Sequence, residues 1–281
     1  VVLRDNASAV EVTLLYAVLP ALDLVTRCAR IRNLGETPVT LTKAASLCLD
    51  ISRGSWEWVH FHGRHAMERQ MERRLLFHGI QEIGSTRGTS SHHQNPTVLL
   101  CTPDCTETAG ACIGAALVYS GSHQTRLECD QLGQVRMVMG IHPDLFRWEL
   151  KAGETFSTPE VMLSYSDTGL ETLSHHFHQA IREHICRGKY QLAERPVLIN
   201  NWEATYFGFD TEKILHIAEE AARLGVDMLV LDDGWFGKRD DDCSGLGDWF
   251  VNETKLSGGL HDLVEKIKGM GMRFGIWFEP E

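Results

Sequence analysis

Residues 228–237 read Met-Leu-Val-Leu-Asp-Asp-Gly-Trp-Phe-Gly, and this stretch decides the fold. A short apolar run, typical of a buried strand, ends in two carboxylates, a glycine and aromatic residues. Two other stretches repeat the arrangement: an apolar run at 197–199 precedes Asn-Asn-Trp-Glu, and a mostly apolar run at 272–276 precedes Trp-Phe-Glu-Pro-Glu. Polar residues that follow the C-terminal ends of successive strands are typical of the site of a parallel β/α barrel.

The segment around these stretches alternates between two periodicities. Strands are predicted at 197–200, 228–231 and 272–278, and apolar residues recur every three or four positions between them. These intervals predict helices, the first capped by Asp210 and stopped by Gly225. Strands that alternate with helices indicate a parallel sheet covered by helices. We therefore expect residues 196–281 to form the first three βα units of a (β/α)8 TIM barrel, which needs eight such units.

The first part of the chain, residues 1–166, has a different pattern. Short stretches rich in valine, leucine and threonine alternate with turn signals, and this predicts an N-terminal antiparallel β-sandwich. The predicted strands are 10–16, 22–32, 39–49, 97–101, 112–119, 125–129, 135–141 and 161–165. A polar loop is expected at 84–95. Residues 167–195 are interpreted as a linker helix between the two domains, capped by Ser166 or Asp167 and ended by Gly188.

Composition narrows the classes of function. The chain has 281 residues and a net charge of −11, which argues against a nucleic-acid partner. No apolar run approaches the ~20 residues that span a bilayer, so no membrane is expected. The eight cysteines show no paired spacing and favour reduced, buried thiols of a cytoplasmic protein. The spacing of Cys101, Cys105 and Cys112 fits no regular zinc pattern, and neither a metal nor another cofactor is expected.

Three groups of motifs together resemble glycoside hydrolase family 36, the bacterial α-galactosidases. They are Asn-Asn-Trp-Glu-Ala-Thr at 200–205, Leu-Asp-Asp-Gly-Trp-Phe-Gly-Lys-Arg at 231–239 and Gly-Ile-Trp-Phe-Glu-Pro-Glu at 275–281. Further matches lie in the expected sandwich, at 52–57, 84–88 and 159–161. The resemblance covers essentially the whole chain.

The resemblance implies an activity and a set of partners. Members hydrolyse terminal α-1,6-linked galactose from melibiose- and raffinose-type oligosaccharides, retain configuration, need no metal and are often intracellular homotetramers. By the same resemblance, Asp232 and Asp233 bind the 4- and 6-hydroxyls of galactose, while Trp202 and Trp277 form walls of the pocket. The family's nucleophile and acid/base follow later strands, so we expect a chain that ends at Glu281 to lack both. Both ends are expected to be truncated, and a signal peptide upstream of Val1 stays an open alternative.

Each of these residues also has a plainer interpretation. Asp233 could cap a helix, and the two tryptophans could simply pack in the core. Adjacent carboxylates on an extended strand point to opposite sides, so they do not suit the acid–nucleophile pair of a retaining glycosidase. Glu279 and Glu281 favour a structural role.

The remaining clusters of charged residues and histidines are interpreted as solvent-exposed. Lys238 and Arg239, with the acids that follow, are interpreted as a solvated loop with weak ion pairs. His175, His176 and His178 are interpreted as a solvated helix face. His92 and His93 lie in the polar loop, and the sequence assigns them no role.

Three alternatives to an α-galactosidase stay open at this point. Two are enzymes: a transglycosylase like the raffinose and stachyose synthases, and an α-N-acetylgalactosaminidase. Both would be expected to depart from the Asn-Asn-Trp-Glu-Ala-Thr pattern. The third is a non-catalytic sugar-binding module built on the sandwich, against which the strand-end residues of the second domain argue.

Overall fold

The computed structural model describes residues 1–144 and 146–279. It divides into two compact units, Val1–Gln191 and Leu192–Glu281, which are called the first and second unit. The sequence analysis places a linker between these parts at 167–195. In the structure most of that segment belongs to the first unit, because its helix packs on the first unit's sheet.

Among the described residues of the first unit there are fifteen strands, and the pairings between them are antiparallel. They are β1 (Val2–Asp5), β2 (Val10–Leu19), β3 (Leu24–Asn33), β4 (Val39–Leu41), β5 (Ala45–Ile51), β6 (Glu57–Arg64), β7 (Met67–Leu75), β8 (Gly79–Ser85), β9 (Gln94–Cys101), β10 (Cys112–Val118), β11 (His123–Cys129), β12 (Val135–Ile141), β13 (Trp148–Leu150), β14 (Thr155–Ser157) and β15 (Glu160–Ser166).

The strands form two main sheets, which confirms the predicted sandwich. The larger sheet has the order β1-β2-β3-β15-β10-β9-β6-β7 with β14 paired to β3, and the smaller has the order β5-β12-β11-β8. Strands β4 and β13 form a separate pair. The core between the sheets contains fully buried residues from both, among them Leu100, Leu127 and Met137. Burial of alternate residues follows from the two-residue period of a strand.

Several strands differ from the sequence prediction. The predicted strand 39–49 is two strands, β4 and β5, which lie in different sheets. Strands β1, β6, β7, β8, β13 and β14 were not predicted. For β7 the reason is its sequence, Met-Glu-Arg-Gln-Met-Glu-Arg-Arg-Leu, which lacks β-branched residues. The polar loop is shorter than 84–95, because β8 extends to Ser85 and β9 begins at Gln94.

Helix α1 (Leu170–Ala180) covers the outer face of the larger sheet through Leu173, Phe177 and Ala180. The predicted caps are wrong: Gly169 occupies the N-cap position without a side-chain hydrogen bond, and its φ of 95° suits a residue without Cβ. The helix continues as a π-helical turn, Ile181–Ile185, and ends before Gly188.

The second unit alternates strands with helices. Its elements are β16 (Leu198–Asn200), α2 (Trp202–Thr205), α3 (Thr211–Arg223), β17 (Met228–Leu231), α4 (Gly259–Gly269) and β18 (Arg273–Ile276). The strands pair in parallel in the order β16-β17-β18, as predicted for the start of a βα barrel. Asp210 caps α3 by accepting from the Lys213 amide at 2.9 Å, which confirms that prediction. Leu229 and Leu231 of β17 are fully buried in this unit's core.

Candidate functional site

The carboxyl edge of the parallel sheet gathers the residues that the sequence singles out. Trp202, Asp232 and Trp277 each follow the end of one strand within two residues, and the three strands are neighbours. The main chain holds these ends together, since the Trp277 amide donates to the Leu231 carbonyl at 2.9 Å. The predicted juxtaposition of these strand ends is therefore present.

Asp232 is fixed by two asparagines from the neighbouring strand. Its backbone amide donates to Asn201 Oδ1 at 2.8 Å, and its Oδ2 accepts from Asn200 Nδ2. Its Oδ1 accepts from the Asp233 amide at 2.7 Å. The carboxylate is half-buried. An ionised carboxylate offers about four lone-pair sites, so two acceptor positions stay open for donors from a ligand.

Asp233 has a different environment, although it is the next residue. Only 6% of it is exposed, and it forms a buried ion pair with Arg239, which is 5% exposed. Arg239 Nε lies 3.1 Å from both carboxylate oxygens, Nη2 lies 2.9 Å from Oδ2, and the Gly234 amide donates to Oδ1 at 2.7 Å. These bonds occupy the lone pairs of the Asp233 carboxylate. The Asp233 hydrogen bond raises the pKa of Arg239.

This ion pair corrects two interpretations of the sequence. Arg239 does not belong to a solvated loop, although its neighbour Lys238 is exposed. Asp233 does not cap a helix, because the residues that follow it form turns and the next helix is α4. A binding role of Asp233 toward a ligand hydroxyl stays a prediction, and any such contact has to share a carboxylate that Arg239 already holds.

Lys255 ties the loop after β17 together. Its ammonium donates to the carbonyls of Phe207, Gly234 and Arg239 at 3.0, 3.2 and 3.2 Å, and it pairs with Asp240 at 2.8 Å. The Arg239 guanidinium lies 5.6 Å from the centre of the Phe207 ring. Lys255 was not predicted as part of the site, because its partners lie 15–50 positions earlier in the chain and no local sequence pattern indicates these contacts.

Trp202 opens the short helix α2 at the end of β16. Its amide donates to Asn200 Oδ1 at 2.7 Å, so Asn200 orients both this turn and the Asp232 carboxylate. The half-buried indole makes edge contacts with the rings of Tyr206 and Phe207, at centroid distances of 5.2 and 4.9 Å. Asn200 is thus a positioning residue that the motif contained but the sequence analysis left without a role.

Trp277 packs partly in the core of the second unit. Its carbonyl accepts from Trp235 Nε1 at 3.0 Å, and its ring lies nearly parallel to that of Phe236 at 6.4 Å. It is half-buried, whereas Trp235 and Phe236 are buried. The core-packing interpretation therefore describes one part of Trp277, and the exposed remainder is available to a ligand.

The other candidate residues do not join this edge into a metal or acid–base cluster. No group of three or more histidines, cysteines or acids in residues 1–144 and 146–279 is arranged to hold a metal ion. Glu279 is half-buried and its charge helps to raise the pKa of Arg239, while Glu281 lies outside the described residues. Asp232 and Asp233 do not suit the nucleophile and acid/base of a retaining mechanism, because Arg239 already holds the Asp233 carboxylate in a buried ion pair.

The histidines and cysteines singled out in the sequence belong to the first unit rather than to the unit that contains the parallel sheet, apart from Cys243. The rings of His92 and His93 stack at 4.6 Å, and the exposed His175 and His178 of α1 have their rings 6.3 Å apart. The interpretation of a solvated face is wrong for His176, whose Nδ1 lies 2.8 Å from Ser164 Oγ on β15 and whose side chain is 16% exposed. All eight cysteines are free thiols, and Cys101, Cys105 and Cys112 are buried in the cluster that contains residues of α1. The prediction of buried thiols is wrong for Cys48 and Cys243, which are exposed. Among the helices described, none is long and apolar enough to cross a membrane.

Comparison with known families assigns both units. The model of the glycosyl hydrolase family 36 N-terminal domain matches residues 1–151, and the melibiase model matches residues 155–281. The boundary between the two matches lies within the first unit, so the melibiase match includes β14, β15 and α1 as well as the whole second unit.

Characterised relatives are similar along the whole chain. The bifunctional alpha-galactosidase/sucrose kinase AgaSK of Mediterraneibacter gnavus is 53% identical over 281 residues, which are all of this chain and 30% of the relative. Alpha-galactosidase AgaA of Geobacillus stearothermophilus is 46% identical over the same length, which is 38% of that relative. The chain thus spans about a third of the length of these relatives.

Solved structures show the same likeness. The crystal structure of the Geobacillus AgaA has a TM-score of 0.96 and 46% identity, and the match covers 100% of this chain and 39% of that one. An AgaA variant in complex with stachyose matches with a TM-score of 0.96, 45% identity and the same coverage. On these matches to both of its parts, the chain belongs to glycosyl hydrolase family 36.

Proposed function

We propose that this chain is part of an α-galactosidase, a retaining hydrolase of terminal α-1,6-linked galactose, and that the carboxyl edge of its parallel sheet binds the galactose ring. The observation that carries the proposal is the half-buried Asp232 carboxylate at that edge, with two acceptor positions open and Trp202 and Trp277 at the ends of the adjacent strands. The relatives support the substrate class, since AgaA variants are known in complexes with stachyose and raffinose.

Galactose recognition follows from the chemistry of these groups. Galactose differs from glucose in its axial 4-hydroxyl, so a fixed carboxylate that accepts from that group discriminates between the two sugars. Hydrogen bonds to an ionised acceptor are stronger than those between neutral groups. The apolar C–H face of the sugar packs well on an indole, which suits the exposed parts of Trp202 and Trp277.

The two carboxylates divide the work in this proposal. Asp232 accepts from the sugar directly, and Asp233 with Arg239 holds the turn whose amide donates to Asp232. The resemblance also implies a homotetramer and a cytoplasmic location, and these stay part of the proposal. No step of bond cleavage is assigned to the residues of this edge.

The test compares Asp232→Asn with wild type in the α-galactosidase that contains this chain. With p-nitrophenyl α-galactoside, kcat/KM should fall at least about tenfold, because ~1.4 kcal/mol of transition-state stabilisation corresponds to a factor of ten. Glu253→Gln is the matched control, since Glu253 is an exposed acid of the same unit and should leave kcat/KM unchanged. An unaltered kcat/KM for Asp232→Asn, or a wild-type enzyme without α-galactosidase activity, would overturn the proposal.

A further inference from the structure

A cavity of about 230 Å³ lies wholly within the first unit, between the outer face of the larger sheet and α1. Its floor is apolar and includes Phe61, Leu99, Ala116, Leu173, Phe177 and Ile181. Its remaining lining consists of neutral polar side chains, one imidazole and the guanidinium of Arg69. None of the described residues that line it carries a carboxylate. The electrostatic character of the cavity is therefore that of an apolar pocket with a cation at its edge.

The backbone directs Arg69 toward this cavity at a cost. Arg69 has a φ of 56°, a region that non-glycine residues seldom adopt. The register between β6 and β7 shifts at this point, because His62 pairs with Gln70 and Arg64 pairs with Met67. Glu68 and Arg69 of β7 therefore lie opposite the single residue Gly63 of β6. A Cβ on Gly63 would lie 2.8 Å from the Glu68 Cα, so this close approach requires glycine. Bulges of this kind re-aim a side chain, and strained residues cluster at functional sites.

Arg69 is also the arginine of β7 whose charge is unmatched within the described part of the chain. Arg73 pairs with Glu57, and Arg74 pairs with Glu72. The neighbouring acid, Glu68, uses its carboxylate to accept from the Ala66 amide at 3.0 Å. Among the described residues, the contact given for the exposed Arg69 guanidinium is the Phe61 ring, whose centre lies 6.0 Å away. A positive charge of this kind favours an anionic ligand, and its planar fork suits a carboxylate.

We propose that this cavity binds a small amphipathic carboxylate, with an aromatic or short alkyl group on the apolar floor and its carboxylate paired with Arg69. A cavity of about 150 Å³ lined by apolar side chains accommodates benzene, so about 230 Å³ accommodates a phenyl ring with a short chain. The site lies on the sandwich unit and does not involve Asp232, Trp202 or Trp277.

The experiment uses isothermal titration calorimetry with 4-phenylbutyrate and its neutral counterpart 4-phenyl-1-butanol. The wild-type chain should bind the carboxylate at least about tenfold more tightly than the alcohol. Arg69→Gln should remove this preference and leave binding of the alcohol unchanged. Arg74→Gln is the matched control on the same strand and should behave as wild type. Ser174→Trp, which places an indole at the cavity wall, should abolish binding of both compounds.

Thermal melting confirms that each variant is folded before its titration is interpreted. The proposal would be overturned if the wild type bound the two compounds with equal affinity, or if it bound neither compound. A preference for the carboxylate that survives Arg69→Gln would also overturn it. Binding that persists in folded Ser174→Trp would place the ligand elsewhere and would overturn it as well.

Discussion

Asparagine substitutions at Asp232 and Asp233 should destabilise the fold by very different amounts, although the two residues are adjacent. Asp233→Asn leaves the Arg239 guanidinium, which is 5% exposed, without its counter-charge. Removal of one partner of a buried ion pair typically costs about 3–5 kcal/mol of folding free energy. Asp232→Asn changes a half-buried side chain whose partners are neutral donors, so its cost should stay near about 1 kcal/mol.

Denaturant unfolding followed by tryptophan fluorescence measures this difference. Four of the seven tryptophans lie in the second unit, and Trp235 is buried there, so fluorescence reports on the unit that contains the ion pair. The free energy of unfolding extrapolates linearly to zero denaturant, and a shift of the midpoint at constant slope reports stability. In the same experiment, Asp233→Asn combined with Arg239→Gln should recover part of the loss, because the double variant no longer buries an unpaired charge.

Two results would contradict the predicted difference in stability between Asp232→Asn and Asp233→Asn. If Asp233→Asn changed the unfolding free energy by less than about 0.5 kcal/mol, the ion pair would not hold this loop. A loss for Asp232→Asn as large as that for Asp233→Asn would show that both carboxylates are structural. The assignment of Asp232 as the open acceptor would then fail.

Three further predictions concern the first unit. Gly114→Ala should destabilise it by about 1–3 kcal/mol, since the new Cβ would lie 2.5 Å from an atom of the buried Phe177 ring; thermal melting measures this. Burial lowers the pKa of His123, so its stabilising contribution is present above about pH 6.5 and is lost as the pH falls. The free energy of unfolding should therefore change less between pH 7 and pH 5 in His123→Gln than in the wild type. Burial raises the pKa of the Cys101 thiol to about 12, so iodoacetamide at pH 8 should modify exposed Cys48 while Cys101 stays unmodified until the chain unfolds, as peptide mass mapping would show.

The parts of the fold that sequence patterns predicted are those in which periodicity reports burial directly. Met228–Leu231 is a continuous apolar run and a fully paired central strand, and its bounds agree with the prediction. Strand β7, in contrast, could not be predicted from its local sequence. Its charged residues, such as Arg73 and Glu72, find partners on β6 and on neighbouring loops, and these tertiary contacts override a composition that favours helix.

The candidate site shows the same boundary between local and long-range information. The strand ends could be predicted, because parallel strands bring their carboxyl ends to one edge. The environment of each carboxylate could not, because it depends on which residue folds back over the edge. Arg239 stands among four other charged residues at 238–242, a pattern that usually indicates a solvated loop. Only the turn that starts at Gly234, with a φ of 91°, brings its guanidinium onto Asp233.

The proposed division of roles between Asp232 and Asp233 gives a physical reason for two acids in the motif. A single carboxylate that both fixed the loop and accepted from a ligand would have to exchange Arg239 for a sugar hydroxyl and leave a buried cation unpaired. With two acids, Asp233 can keep its ion pair when Asp232 accepts from a ligand, while Asp232 is oriented through its amide and through neutral donors. The lone pairs of Asp232 that face away from Asn200 and Asp233 then stay free for a ligand without any rearrangement of the loop. Preorganisation of this kind lowers the cost of binding, since no charged contact inside the protein has to break first.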